Sequence, residues 1–318
     1  MTMTNCIRTV IVLLSLCQAS AAISAASPMC PPQQGVALQI LGSGGPIADD
    51  ARASSGYLVW IDGRARVLVD AGGGTFLRFA EAGANFSDLD FVGLSHFHAD
   101  HSAAFAALLK SGNFSNRTAA LTVAGPGKRG QFPGLRQFLA SLLGQKNGAF
   151  PYLAGYLDGS AGLAKLLPVE VGDASTDIVR VYESDDGKFV IDALQVPHGI
   201  VPALAFRVQT DNTTLVFASD QNGSKSEFVA FAKDATILVM HMPVPEGVSG
   251  IGRRLHAPPS VIGDIAQAAN AKKLLLSHFM RRSLSNLSQN IDYIRAVFGG
   301  PVVVGNDLAC YCVDNKES

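Results

Sequence analysis

The sequence predicts an α+β chain in which two β-sheets pack together with helices outside, within a single domain. Three observations lead there. Strands followed by mixed strands and helices recur twice along the chain. No stretch of linker composition separates the two halves. The 318 residues, 48% hydrophobic and only 16% charged, are ample for one large core. The same balance, with a net charge of -1, excludes an intrinsically disordered protein, which needs low hydrophobicity and high net charge. Neither sustained heptads nor a fixed-period repeat is present, which excludes a coiled coil and a repeat array. Near neutrality also argues against general electrostatic attraction to nucleic acid.

Residues 36–42, 56–61 and 66–70 read as successive strands, the last two joined by the turn Asp62-Gly63. A helix over 75–82 follows the Gly72-Gly73-Gly74 loop, and a short strand over 91–95 stops just before His96. A helix over 103–110 and a strand over 121–124 come next, then a variable Gly- and Pro-rich segment over 126–175 with one helical stretch at 135–144. Strands resume at 178–182, 188–194, 202–209, 214–218 and 236–240. A helix at 259–269, a strand at 273–277, a helix at 285–297 and strands at 301–304 and 308–312 close the chain, with His256 preceded by a Gly/Arg loop.

Residues 1–26 are expected to be a signal peptide and 27–318 the mature domain. Arg8 gives a weakly basic start, Thr9 to Cys17 is an apolar run, and Ala19-Ser20-Ala21 and Ser24-Ala25-Ala26 offer small-residue cleavage sites. A spanning helix needs about 20 apolar residues, and this run is about half that. No later stretch reaches that length, so a periplasmic or secreted protein with no membrane span in the mature chain is expected. Cys30, Cys310 and Cys312 would survive cleavage. An oxidising compartment permits a bridge from Cys30 to one of the other two, and their role is read as structural.

The placement of the seven histidines is the most informative feature of the sequence. Three lie in Ser95-His96-Phe97-His98-Ala99-Asp100-His101, and His96, His198, His241 and His278 each follow an apolar run that reads as a strand end. His96 and His98, two apart in extended chain, point the same way and can grip one ion. Asp100 and His101, beyond the turn, can reach a second ion nearby. Imidazole and carboxylate suit zinc, and two ions about 3.5–4 Å apart can clamp the attacking and leaving oxygens of a displacement.

At this H-x-H-x-D-H cluster the chain resembles the metallo-β-lactamase superfamily, and the resemblance runs over nearly the whole mature chain. Asp70 in Leu-Val-Asp-Ala-Gly, His198, Asp220 in Ala-Ser-Asp and His278 match further motif positions. The resemblance implies a four-layer αβ/βα sandwich with two zinc ions at one edge of the sheets. One ion would be held by His96, His98 and His198, the other by Asp100, His101 and His278, with Asp220 bridging. His98 stands where oxygen-reducing di-iron members carry Glu, which implies hydrolytic zinc chemistry. Asp220 disfavours a true β-lactamase. Homodimers are common in the superfamily, so a homodimer is a further expectation.

The C-terminal half resembles the ribonuclease Z branch: His256 lies 22 residues before His278, and Arg281-Arg282 follow it. That resemblance assigns Asp100 to orienting or deprotonating the metal-bound water and His256 to protonating the leaving oxygen. It implies a metal-bound hydroxide attacking a phosphodiester or related ester. His241 stands where that branch usually has a Glu partnering the equivalent of His256, so His241 is expected beside His256. The residues after His256 are Ala-Pro-Pro-Ser rather than the usual helix start, and no tRNA-gripping arm is recognisable. With the signal peptide, these differences point to a small or medium ester rather than a stable nucleic-acid partner. The alternative is a lactonase or sulfatase of the same fold, or a non-hydrolytic metal-binding or redox member.

Overall fold

The computed structural model describes residue 30 and residues 34–172 and 177–313. The expected signal peptide therefore lies outside the described residues. The first half supplies β1 (Val36–Gly42), β2 (Gly56–Ile61), β3 (Arg64–Val69), α1 (Thr75–Glu81), β4 (Phe91–Gly93), α2 (Ala99–Ser102), α3 (Phe105–Gly112), β5 (Leu121–Pro126), α4 (Leu135–Leu143), α5 (Gly155–Asp158) and β6 (Leu166–Val171). The second half supplies β7 (Val179–Glu183), β8 (Val190–His198), β9 (Val201–Gln209), β10 (Thr214–Phe217), α6 (Glu227–Phe231), β11 (Ile237–His241), α7 (Gly250–Leu255), α8 (Pro259–Ala268), β12 (Leu274–Ser277), α9 (Arg281–Leu284), α10 (Leu287–Arg295), β13 (Val302–Val304) and β14 (Cys310–Val313).

Two seven-stranded mixed sheets result, ordered β14-β1-β2-β3-β4-β5-β6 and β13-β12-β11-β10-β9-β8-β7. Alternation along each strand divides its side chains between two apolar layers. Leu38, Ile40, Tyr57 and Val59 of the first sheet meet Leu204, Phe206, Leu215 and Val239 of the second in the layer between the sheets. Leu58, Trp60 and Leu68 face outward under α3 and α4. Ala203, Leu238, Met240 and Leu276 face outward under α6, α8 and α10. The expected sandwich of helices, sheet, sheet and helices is therefore present. Strands covered on both faces read as continuous apolar runs, which is why VALQILG is buried at every position. Its one polar side chain, Gln39, is satisfied by Trp60 Nε1 at 2.9 Å and by the Leu308 carbonyl at 3.2 Å.

Several elements differ from the sequence expectation. The variable segment contains β6, which pairs in parallel with β5 at the sheet edge. Its buried and exposed positions do not alternate cleanly, so no period marked it as a strand. The Gly/Arg loop before His256 is α7, none of whose residues is buried. The helices expected at 103–110 and 285–297 are α3 and α10, and each is preceded by a short helix not expected from the sequence, α2 and α9. Strand β4 ends at Gly93, because Ser95 turns its backbone N–H onto the Asp70 carboxylate at 2.7 Å.

Of the two open pairings for Cys30, the structure shows Cys30–Cys310, with Cα atoms 6.0 Å apart. The bridge ties the start of the described chain to β14 across a separation of 280 residues. Cys310→Ser is expected to destabilise the fold by about 2–5 kcal/mol. Chemical denaturation should show this as a lower midpoint in the variant, and reductant should lower the parent's midpoint equally. A midpoint unmoved by either change would show that the bridge contributes nothing.

Candidate metal centre

Strand direction decides where the histidines meet. β3 and β4 run parallel, as do β10, β11 and β12, while β8 is returned to that same direction by two antiparallel pairings through β9. The C-terminal ends of all six therefore open on one edge of the sandwich, where strand ends meet loops. His198 and His241 are the last residues of β8 and β11, and Asp70 and His278 directly follow β3 and β12. Three non-glycine residues leave their strands here in the left-handed region: Asp70 (φ 60°), Ser219 (φ 56°) and His278 (φ 56°). Such a conformation costs about 1–2 kcal/mol and persists where surrounding bonds over-determine it.

Two groups of ligand-type atoms lie side by side. In the first, His96, His98 and His198 offer nitrogens within 4.8 Å of one another. His96 Nε2 and His98 Nδ1 are 3.0 Å apart. In the second, His101, Asp220, His241 and His278 converge within the same limit. Asp100 Oδ2 joins them, 3.2 Å from His278 Nε2 and 3.5 Å from His101 Nε2. Asp220 stands between the groups, with Oδ2 3.6 Å from His198 Nε2 and 3.7 Å from His101 Nε2, and Oδ1 3.5 Å from His278 Nε2. All seven residues assigned to metal in the sequence are thus brought together, His241 is added to them, and His256 forms a further group with His198 and Asp220.

Hydrogen bonds at the back of the rings aim their free nitrogens inward. Asp70, 1% exposed, accepts from Ser95 N and Oγ and from His101 Nδ1 at 2.8 Å, which leaves His101 Nε2 as the lone-pair nitrogen. His198 Nδ1 donates to the Leu255 carbonyl at 3.0 Å, and its buried Nε2 has no hydrogen-bond partner. His241 Nδ1 donates to Asp220 Oδ1 at 2.7 Å. The Tyr57 hydroxyl lies 2.9 Å from His241 Nε2 and 2.9 Å from Ser277 Oγ, so this chain of polar groups spans from β2 of one sheet to β11 and β12 of the other. Asp70→Asn should free His101 to adopt the wrong tautomer and weaken metal binding about 10–100-fold. Metal retained against a graded chelator measures it, and unchanged retention would contradict the orienting role.

Burial and the neighbouring imidazoles push His96 well below its ordinary value, and burial pushes His98 down. Burial opposes charge on His101 as well, but Asp70 and Asp100 outweigh it and hold His101 well above its ordinary value. Burial works to raise Asp220, but the surrounding histidines, His278 and His256 foremost, hold it well below the usual carboxylate range. Neutral imidazoles at His96 and His98, an ionised carboxylate at Asp220 and an unpartnered buried nitrogen on His198 form a donor set that fits borderline divalent metal ions such as zinc, and an ion in the second group would take the place of the proton that Asp70 and Asp100 favour on His101.

A cavity of about 370 Å³ opens onto this cluster, lined by His98, Asp100, His198, Asp220, His256 and His278 among others. His256 caps the C-terminus of α7, with Nδ1 3.8 Å from Asp220 Oδ1 and its ring centroid 5.3 Å from that of His198. Burial pushes it down to about 4. The expectation that His241 partners His256 is overturned: His241 is bonded to Asp220 and Tyr57 instead. The His278 ring meets both, stacked on His241 at 4.5 Å and 6.0 Å from His256. Tyr57 and Ser277 carried no sequence signal, because their contact is made only when the sheets close. His241, at a strand end, carried one.

Residues 49–241 match the family model of the metallo-beta-lactamase superfamily. Among curated proteins, the chain is 27% identical over 285 residues to ribonuclease Z of Mycobacterium marinum, covering 86% of this chain and 97% of the relative. To ribonuclease Z of Methanosarcina mazei it is 23% identical, covering 84% and 95%. Among solved structures, the metallo-beta-lactamase fold protein YhfI of Bacillus subtilis superposes with a TM-score of 0.66 at 20% identity, covering 87% of this chain and all of that one. The short form of human tRNase Z gives a TM-score of 0.66 at 17% identity, covering 87% and 99%.

Proposed function

From the premise that this chain belongs to the metallo-beta-lactamase superfamily, on its ribonuclease Z-like side, we propose an exported two-zinc hydrolase that cleaves a phosphodiester or related ester of a small or medium substrate. The observation that carries this reading is Asp220, a buried carboxylate facing His198 on one side and His101 and His278 on the other. His96, His98 and His198 would hold one ion, and Asp100, His101 and His278 the other, with Asp220 shared. The ions supply Lewis-acid charge and an acidified water. Asp70 fixes the His101 ring, and the Leu255 carbonyl fixes the His198 ring. Burial works to raise Asp100, but hydrogen bonds from His101 and His278 hold it well below the usual carboxylate range. It is therefore ionised and able to orient a water by accepting a hydrogen bond from it. His256, on the cavity wall, delivers a proton to the leaving oxygen.

The relatives named ribonuclease Z raise RNA as a substrate; the expected signal peptide, and a sequence in which no tRNA-gripping arm is recognisable, favour smaller esters. Turnover by the zinc-loaded protein on chromogenic phosphodiester, phosphomonoester, lactone, sulfate ester and β-lactam substrates tests the reaction. The diester is expected to be preferred, and preference for a lactone or sulfate would transfer the assignment to that chemistry. N-terminal sequencing from the native host should find a start between about Ala22 and Pro28. Intact Met1 in a cytoplasmic fraction would restore tRNA processing as the leading function. Among the described residues no helix is long and apolar enough to cross a membrane.

A further inference from the structure

A second cavity, of about 460 Å³, adjoins the metal cavity and is lined by Pro197, Gly199, Ile200, Ile251, Arg254 and Leu255 among others. Leu255 lines both cavities. Pro197 and Gly199 flank His198 in the chain, and Leu255 precedes His256, so the apolar walls are one residue removed from two groups of the site. Ile200 and Ile251 are 70% and 67% exposed, unusual for side chains of this size on either side of one opening. Ile200 sits in the two-residue turn joining β8 to β9, where Gly199 takes φ 61° and a Cβ would stand 2.9 Å from Leu255 Cδ2. Ile251 belongs to α7, whose end carries His256. The volume exceeds what a methyl ester requires and falls in the range of small-molecule sites, about 300–1,000 Å³. The wall of Ile, Leu and Pro has two polar members, Arg254 and Asn222, and the Asn222 amide is already engaged, donating to the Arg254 carbonyl and accepting from Ser224 N, both at 3.0 Å, which leaves few partners for the polar edges of a nucleobase.

Building on the hydrolase reading above, we propose that this cavity is a substrate subsite. It would receive an apolar body, one aromatic ring or a medium alkyl chain, attached to the ester held at the metal cluster. The substrate class is then an amphiphilic anionic ester rather than an RNA end. Burial of the apolar group should tighten binding without changing the chemical step, so it acts on KM and leaves kcat in place.

The zinc-loaded protein should be assayed on 4-nitrophenyl phosphodiesters whose second ester is methyl, butyl, hexyl or uridine. kcat/KM is expected to rise about three- to fourfold per methylene from methyl to hexyl, through KM, with the uridine ester below the hexyl. Ile251→Asp and Ile200→Ser should each flatten the series while leaving the methyl ester's kcat unchanged. A flat series in the parent, a uridine preference, or equal slowing of methyl and hexyl esters in both variants would overturn the proposal. If no diester is cleaved, the phosphodiesterase reading fails by itself, and calorimetry with hexyl- and methylphosphonate still decides the subsite. Hexylphosphonate binding at least tenfold tighter, and lost in Ile251→Asp, supports it; equal binding overturns it.

Discussion

Asp220→Ala is expected to strip most of one or both zinc ions from the protein and to abolish most of its turnover. The carboxylate is 2% exposed and is the anion that faces both groups of ligand atoms, with four histidine nitrogens within 3.7 Å of its two oxygens. Without it, imidazoles converge on two cations with no shared negative charge between them, and like charges in a buried site repel strongly. Loss of a residue that merely orients a ligand costs about 10–100-fold in metal affinity, so loss of the shared carboxylate should exceed that range. Elemental analysis after dialysis measures the effect directly, with close to two equivalents expected in the parent. Asp220→Asn separates charge from shape, since it keeps the hydrogen-bonding size of the side chain and removes the anion. Two ions retained and full activity in both variants would sink the shared-carboxylate assignment.

His256→Ala should give the opposite pattern, with both ions kept and kcat lowered by about 10²–10⁴ on an alkyl diester, the usual contribution of a general acid. An alkoxide leaves poorly without a proton, whereas a nitrophenolate departs unaided, so the loss on a nitrophenyl ester should be much smaller. Burial holds His256 near 4, and the charge of a bound anionic substrate must offset that burial for the ring to carry a proton at neutral pH. His256 also lies within ligand range of His198 and Asp220, so metal content is the deciding control. Zinc loss, or equal damage on both leaving groups, would make it a ligand or a structural residue. His241→Ala, by contrast, should weaken metal retention and not alter leaving-group dependence, because its bond is to Asp220 and not to His256.

The sequence by itself determined the sandwich and most of the site, because both rest on local patterns. Strands buried on both faces, such as β1, β2 and β11, leave near-continuous apolar runs. The cluster from His96 to His101 is dense enough to declare metal chemistry without any long-range contact. His198 and His278 were legible because each ends or follows an apolar strand, the position that places chemistry at a strand edge, whereas Asp220 was singled out by the resemblance to the superfamily motif. Elements without a period, β6 on the sheet edge and the surface helix α7, were not legible, since exposed or irregular burial writes no pattern. Only the tertiary structure decided who orients whom. The Tyr57–His241–Asp220 chain joins residues 184 and 21 positions apart, and only the folded chain pairs Cys30 with Cys310 rather than Cys312. The apolar cavity beside the metal site joins the β8–β9 turn to α7. Hydrogen bonds and cavity walls of this kind depend on which surfaces meet when the two sheets close, and residue order along the chain carries no record of that contact.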